Sequence, residues 1–202
     1  MVIGVTGGVG TGKSTILSIL ESDYDAKIIL ADDVCRDLME PGESCYQPII
    51  DELGEEVLTD GPGSPFNRAK IAEIVFNDDT KRDNINSITH PLVKEEIIRM
   101  IDQYNKEGVK YIIVESAIII EAKYLDILDE LWVVITDYWE RVDRLISSRH
   151  YTIKKINEII AAQMSDEEYI SYADFVIDNS ETLEYARKQI HDRLDERNYH
   201  RF

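Results

Sequence analysis

The densest chemistry in the chain lies near its start, in Gly7-Gly8-Val9-Gly10-Thr11-Gly12-Lys13-Ser14 and the Thr15 that follows. Gly, four residues, then Gly-Lys-Ser is the spacing of a phosphate-binding loop. Each residue type has a physical reason. Glycines let the backbone curl until successive N–H groups point inward at an anion, with no Cβ in the way. Lys13 brings a mobile positive charge to the β- and γ-phosphates, and the Ser14 hydroxyl is suited to Mg²⁺. Average composition would put four such specified positions in a chain of this length about once in a hundred cases. Gly7, Gly8, Val9, Gly10, Thr11, Gly12, Lys13, Ser14 and Thr15 are therefore the candidate ligands of a nucleoside triphosphate.

The flanking elements are the ones such a loop needs. Val2-Ile3-Gly4-Val5 reads as a short buried strand, and Ser14 to Leu20 opens a helix with an apolar face. Strand, glycine loop and helix N-terminus together make an anion site. Further along, Lys27–Leu30, Tyr111–Val114, Leu131–Ile135 and Phe175–Ile177 read as four more short apolar strands. Helical patterns fall between them: Val34–Met39, residues 44–54, Arg68–Phe76, and a stretch from Asp79 to about Tyr104 that His90-Pro91 is expected to break. A closing amphipathic helix covers 181–197. Alternation of this kind predicts an α/β fold, a five-stranded parallel sheet with helices on both faces.

Ligands of such sheets sit at the carboxyl ends of the strands. That edge should gather the phosphate loop, Asp32-Asp33, Glu115, Thr136-Asp137 and Asp178-Asn179. The 39 residues from Thr136 to Asp174 exceed what one crossover needs, and the Arg- and Lys-rich segment 137–172 is placed to act as a lid. Glu115, at the end of a buried strand, is a candidate Mg²⁺-supporting carboxylate.

Bulk properties narrow the class. The 202 residues suit one domain, 1–202, with residues 34–105 including a helical insertion. A net charge of −18, from 40 acidic and 22 basic side chains, argues against nucleic acid and against an anionic membrane as partners. Two scattered cysteines, Cys35 and Cys45, suit a reducing cytoplasm. Residue 2 already begins a core strand, so no signal peptide is expected, and no apolar run approaches the ~20 residues of a membrane span. The chain is expected to be cytoplasmic, a monomer or small homo-oligomer.

A phosphate loop alone does not separate a kinase from a GTPase or a motor ATPase. Asn-Lys-x-Asp, the guanine-reading motif, does not occur. A carboxylate follows the second strand, where an acceptor hydroxyl could meet the γ-phosphate. Arg141, Arg144, Arg149, Lys154 and Lys155 cluster in the lid segment, as developing charge on a transferring phosphoryl requires. These features favour a small-molecule kinase.

Over nearly its whole length the chain resembles the dephospho-coenzyme A kinases. The resemblance runs through Thr6–Thr15, Ala31-Asp32 with Glu40-Pro41-Gly42, Arg68 with Ile74-Val75-Phe76, and Thr89-His90-Pro91-Leu92. It continues in Ile160-Ala161-Ala162-Gln163-Met164 and Ala173–Ser180. The His-Pro and Ile-Asp-Asn-Ser elements in this order are specific, whereas the phosphate loop is shared by many families. The resemblance implies a P-loop kinase fold with a helical substrate-binding part and a helical lid. It implies transfer from ATP, with Mg²⁺, to the ribose 3′-hydroxyl of dephospho-coenzyme A.

It also suggests roles. Asp32 matches the family's general base, although as an N-cap of the helix expected from Val34 it would have a purely structural use, and Asp33 could share either job. Arg144 matches a lid arginine, and Arg149 stands beside the position of the next one, which is Ser148 here. Gln163 and Asn179 fit lid contact and adenine-edge reading. Arg68, His90 and Glu121 fit the acceptor side, with a structural histidine and a solvated carboxylate as the plainer alternatives. The family's first Asp of Asp-Ala-Asp is Leu30 here, Tyr169 and Tyr172 stand where many members carry Lys and Arg, and Glu181 replaces a Gly. These changes thin the cations on the acceptor side and leave the ATP side whole.

Overall fold

The computed structural model describes residues 1–199, with 196–199 described by backbone only. Five parallel strands form one sheet: β1 (Val2–Thr6), β2 (Lys27–Leu30), β3 (Ile112–Glu115), β4 (Glu130–Ile135) and β5 (Phe175–Asp178), in the order β2-β3-β1-β4-β5. Central β1 pairs with β3 through Val2–Ile112 to Val5–Glu115 and with β4 through Ile3–Glu130 to Thr6–Val133. Apart from one polar residue at an end of each (Thr6, Lys27, Glu115, Glu130 and Asp178), the strands are continuous apolar runs, because helices cover both faces and remove the alternation a half-solvated strand would show. All five residues of β1 are buried.

The backbone divides into two compact units, residues 1–28 with the chain from 104 onward, and residues 29–103. In the first, Ile3, Val5, Trp132, Val134 and Ile177 of the sheet pack with Ile16, Ile19 and Leu20 of α1 (Lys13–Tyr24). Ala186, Ile190 and Leu194 of the closing helix complete that core. The buried Glu130 carboxylate accepts from the Trp132 indole N–H at 2.6 Å and from Arg193 at 2.6 Å, so its charge is met inside the fold.

In the second unit, α2 (Ala31–Leu38) follows β2 without a connecting loop, and α3 (Tyr46–Leu53) and α4 (Arg68–Asn77) follow. Their core is Cys45, Tyr46, Ile49, Leu53, Val57, Phe66, Ile71 and Ile85. Asn67 caps α4 by accepting from the Lys70 N–H, and the Tyr46 hydroxyl donates to Ser64 O at 2.6 Å across the turn segment.

Two expectations are corrected here. The helix after β2 begins at Ala31 rather than Val34, with Leu30 as its N-cap, so Asp32 lies in the first turn and does not cap. And α5 runs unbroken from Asp79 to Lys106 through Pro91. Proline in a helix interior removes one hydrogen bond and costs about 3 kcal/mol. The buried stripe Ile85, Thr89, Val93, Ile97 and Ile101, at a spacing of four, continues on both sides of the proline and holds the turns together. His90 is accordingly helical and half-buried, not extended. A smaller difference lies at Glu121, which is exposed in a turn rather than opening a helix.

Candidate active site

Gly12, left-handed at φ +86°, is the N-cap of α1, and Lys13 and Ser14 begin that helix. The loop between β1 and α1 therefore ends on a helix N-terminus, where the backbone N–H groups and the dipole both favour an anion. Ser14 is exposed there. The Lys13 ammonium donates to Gly7 O at 2.9 Å and Gly8 O at 3.4 Å, and lies 3.8 Å from the Glu115 carboxylate at the end of β3. It reaches across the mouth of the loop, where phosphate oxygens would take over from the two carbonyls.

The loop is braced from outside by side chains remote in sequence. The Thr11 carbonyl accepts from Thr136 Oγ1 at 2.9 Å, Asn179 Nδ2 at 2.8 Å and Arg144 Nη1 at 3.4 Å. Arg144 Nη2 also donates to Asn179 O at 2.8 Å, tying the exit of β5 to the same point. These donors stand on the exits of β4 and β5 and on α6 (Tyr138–Arg149), the first helix of the segment expected to be a lid. The segment continues through α7 (Ile153–Ala161) and α8 (Asp166–Tyr172), the latter opened by a Ser165–Glu168 capping box. Arg141, only 6% exposed, donates through Nε to Val9 O at 3.1 Å and pairs with Asp166 at 3.3 Å. Gln163 Oε1 accepts the Val9 N–H at 2.8 Å.

The expected residues are thus distributed as follows. Arg144, Gln163 and Asn179 come together with Gly7–Thr15, and Glu115 faces Lys13. Asn179 is 4% exposed and engaged with the loop backbone, and Gln163 holds a loop amide. Arg149 is exposed at the C-terminal end of α6. Glu121 lies near Tyr169, whose buried phenol is pushed up first by burial and then by the Glu121 charge. The Tyr169 hydroxyl donates to Ala117 O at 3.4 Å, so a position where a cation was expected fastens α8 to the turn after β3.

In the 29–103 unit, Asp32 is exposed in the first turn of α2 and has no hydrogen-bond or ion-pair partner among the described residues. Asp33 beside it is bound to Arg36 at 2.5 Å. Cys35, one turn on from Asp32, has its thiol pushed up by burial and then by Asp32, with Arg68 pulling the other way. Asp32 and Arg68 therefore act on the same side of α2, though 36 residues apart. Arg68 also pairs with Glu40 at 3.2 Å.

Sequence reading gave no individual role to Thr136 or Arg141. Thr136 had one usable signal, its place at a strand exit on the binding edge. Arg141 had none beyond membership of a basic cluster, because burial is a property of packing.

Gly12 offers a direct check on the brace. A Cβ there would lie 2.2 Å from Asn179 Nδ2, on a backbone that costs an L-residue about 1–2 kcal/mol. Gly12→Ala is expected to raise the KM for ATP by about tenfold or more, since each 1.4 kcal/mol is a factor of ten. An ATP titration at saturating acceptor measures it.

Sheet order, loop and helix N-terminus together define a P-loop kinase. A family model for dephospho-CoA kinase matches residues 1–184. The dephospho-CoA kinase of Carboxydothermus hydrogenoformans is 39% identical over 94% of this chain and 90% of its own length. That of Oceanobacillus iheyensis is 33% identical over 98% of each. The chain belongs to the dephospho-CoA kinase family. Among solved structures, the dephospho-CoA kinase of Campylobacter jejuni superposes with a TM-score of 0.72 at 20% identity, covering 100% of this chain and 98% of that one. A shikimate kinase of Acinetobacter baumannii shares the fold more distantly, with a TM-score of 0.53 at 13% identity over 96% and 93% of the two chains.

Proposed function

We propose that this chain transfers the γ-phosphoryl group of ATP to the ribose 3′-hydroxyl of dephospho-coenzyme A, giving coenzyme A and ADP. The observation that carries the kinase chemistry is the braced loop, a curl of backbone ending at a helix N-terminus with Lys13 across its mouth. Family membership supplies the acceptor. In the reaction the bond from the γ-phosphorus to its bridging oxygen breaks as the 3′-oxygen bonds to phosphorus. The 3′-hydroxyl proton goes to the Asp32 carboxylate, the unengaged member of the Asp32-Asp33 pair. Lys13 neutralises charge on the β- and γ-oxygens. Arg144, which donates to Thr11 O of the loop and to Asn179 O, is assigned the part of the lid's cation. Positioning and electrostatics do most of the work, because the loose transition state asks little covalent chemistry of the protein.

Mg²⁺ fits the donors present. Ser14 offers an exposed hydroxyl and Glu115 a carboxylate beside Lys13. No group of three or more His, Cys, Asp or Glu among the described residues forms a metal cage. That composition suits an ion that keeps water and takes its remaining oxygens from substrate phosphates, where it would neutralise developing charge. Arg68, His90 and Glu121 are assigned to acceptor binding, the 29–103 unit to holding the acceptor, and residues 137–172 to lid closure. Both thiols are free, which fits a reducing cytoplasm, and no described helix is long and apolar enough to cross a membrane.

The test is ADP release with ATP, Mg²⁺ and dephospho-coenzyme A, against adenosine, nucleoside monophosphates and no acceptor, with product mass fixing the phosphorylated position. Release dependent on dephospho-coenzyme A is expected. Turnover with another acceptor only would replace the substrate, and Leu30, Ser148, Tyr169 and Tyr172 would be the residues to examine. ATP binding without transfer to any acceptor would make the chain a nucleotide-binding regulator.

A further inference from the structure

Three parts of Val9 are held by the lid segment. Its side chain packs on the small apolar cluster of Val142, Leu145 and Ile156. Its N–H donates to Gln163 and its carbonyl accepts from Arg141. The Arg141 side chain is so close to the loop that a Cβ on Gly8 would lie 2.4 Å from Nη2.

A planar trans peptide points its C=O and N–H in opposite directions. Drawing the Val9 carbonyl out toward Arg141 therefore turns the N–H of Gly10 to the other side. The three donors on the Thr11 carbonyl do the same for the N–H of Gly12. Neither the Gly10 nor the Gly12 N–H has an acceptor among the described residues. A phosphate loop needs just such N–H groups, aimed inward and without a partner until the anion arrives.

We propose that Arg141 is a positioning residue of phosphoryl transfer, acting through the Val9–Gly10 peptide to aim a loop N–H at the nucleotide phosphates. The inference rests on the kinase reading above but is independent of the acceptor. Asp166 holds the guanidinium in place, and Gln163 fixes the other side of Val9. Because all three come from the lid segment, the shape of the loop depends on the lid being seated.

The test is calorimetric titration of Arg141→Met with ADP and, separately, with inorganic tripolyphosphate. Methionine keeps the apolar stem and loses the fork. Both affinities are expected to fall by a common factor of about 10–100, the range of a lost hydrogen bond to a charged group. In turnover, KM for ATP should rise while KM for the acceptor holds. Arg141→Lys, which keeps the charge, should recover part of the loss. Wild-type ADP affinity in Arg141→Met would overturn the proposal. So would a loss for ADP with unchanged tripolyphosphate binding, since the residue would then be acting on the nucleoside. Should Arg141→Met fail to fold, Asp166→Ala releases the guanidinium that aims the Val9–Gly10 peptide, with a fall of roughly 3–10-fold expected for an ordinary hydrogen bond. Unchanged affinity there would be equally fatal. An incorrect acceptor shows differently, as absent transfer by a wild-type chain that binds ADP normally.

Discussion

Lys13→Ala is expected to lower kcat by about 10²–10³-fold or more, the range seen when one preorganised donor to developing charge is removed. The ammonium bridges Gly7 O, Gly8 O and the Glu115 carboxylate, with its side chain 16% exposed. Those contacts keep it at the mouth of the loop before nucleotide arrives, so little reorganisation is needed when the phosphates come in. In the proposed mechanism alanine takes away the charge that neutralises the phosphate oxygens, and it leaves two carbonyls that water can satisfy. The expected loss of folding stability is about 1.5–3 kcal/mol, the range for hydrogen bonds made by a charged group. Activity and stability should separate. Steady-state turnover with dephospho-coenzyme A and a urea denaturation curve measure the two. A variant within tenfold of wild-type kcat would remove the loop from the chemistry.

The fold and the loop were legible because their signals are local. Five apolar runs between helical patterns leave few arrangements besides a covered parallel sheet, and Gly-x₄-Gly-Lys-Ser needs no tertiary information. The misreadings fall where a local rule met a tertiary one. Pro91 should end a helix by backbone chemistry, yet Ile85, Thr89, Val93, Ile97 and Ile101 bury one continuous stripe across it. Ala31-Asp32-Asp33 reads as a connection, yet β2 turns directly into α2, which places both carboxylates in a helical first turn. Individual contacts were the least legible. Thr136, Arg141 and Asn179 lie 125 to 168 residues from the loop atoms or loop segment they grip. No periodicity within a helix or strand encodes such a pairing. Tyr169 illustrates the same limit. Judged as a lost cation it counts against acceptor binding, but its buried ring and its bond to Ala117 O give it a different task.

Asp32→Asn is expected to cost about 10²–10⁴-fold in kcat, the range for removing a positioned general base. Asparagine keeps the shape and an accepting oxygen, so orientation of the 3′-hydroxyl survives in part while proton acceptance is lost. The assignment to Asp32 rather than Asp33 rests on their partners. Asp33 is committed to Arg36 at 2.5 Å, whereas Asp32 is exposed and without a partner among the described residues. Asp33→Asn should accordingly stay within a few-fold of wild type, removing a surface ion pair of about 0–1 kcal/mol. The two variants have neighbouring positions and the same chemical change, so nonspecific damage to α2 would lower both. Base catalysis lowers one. ADP affinity should be unchanged in each, because the proposed mechanism puts the nucleotide on Gly7–Thr15 and the carboxylate on the acceptor. If Asp32→Asn turned over at near wild-type rates with Asp33 intact, the proton would have to leave by another group. Glu115, already beside Lys13, would be the first carboxylate to replace.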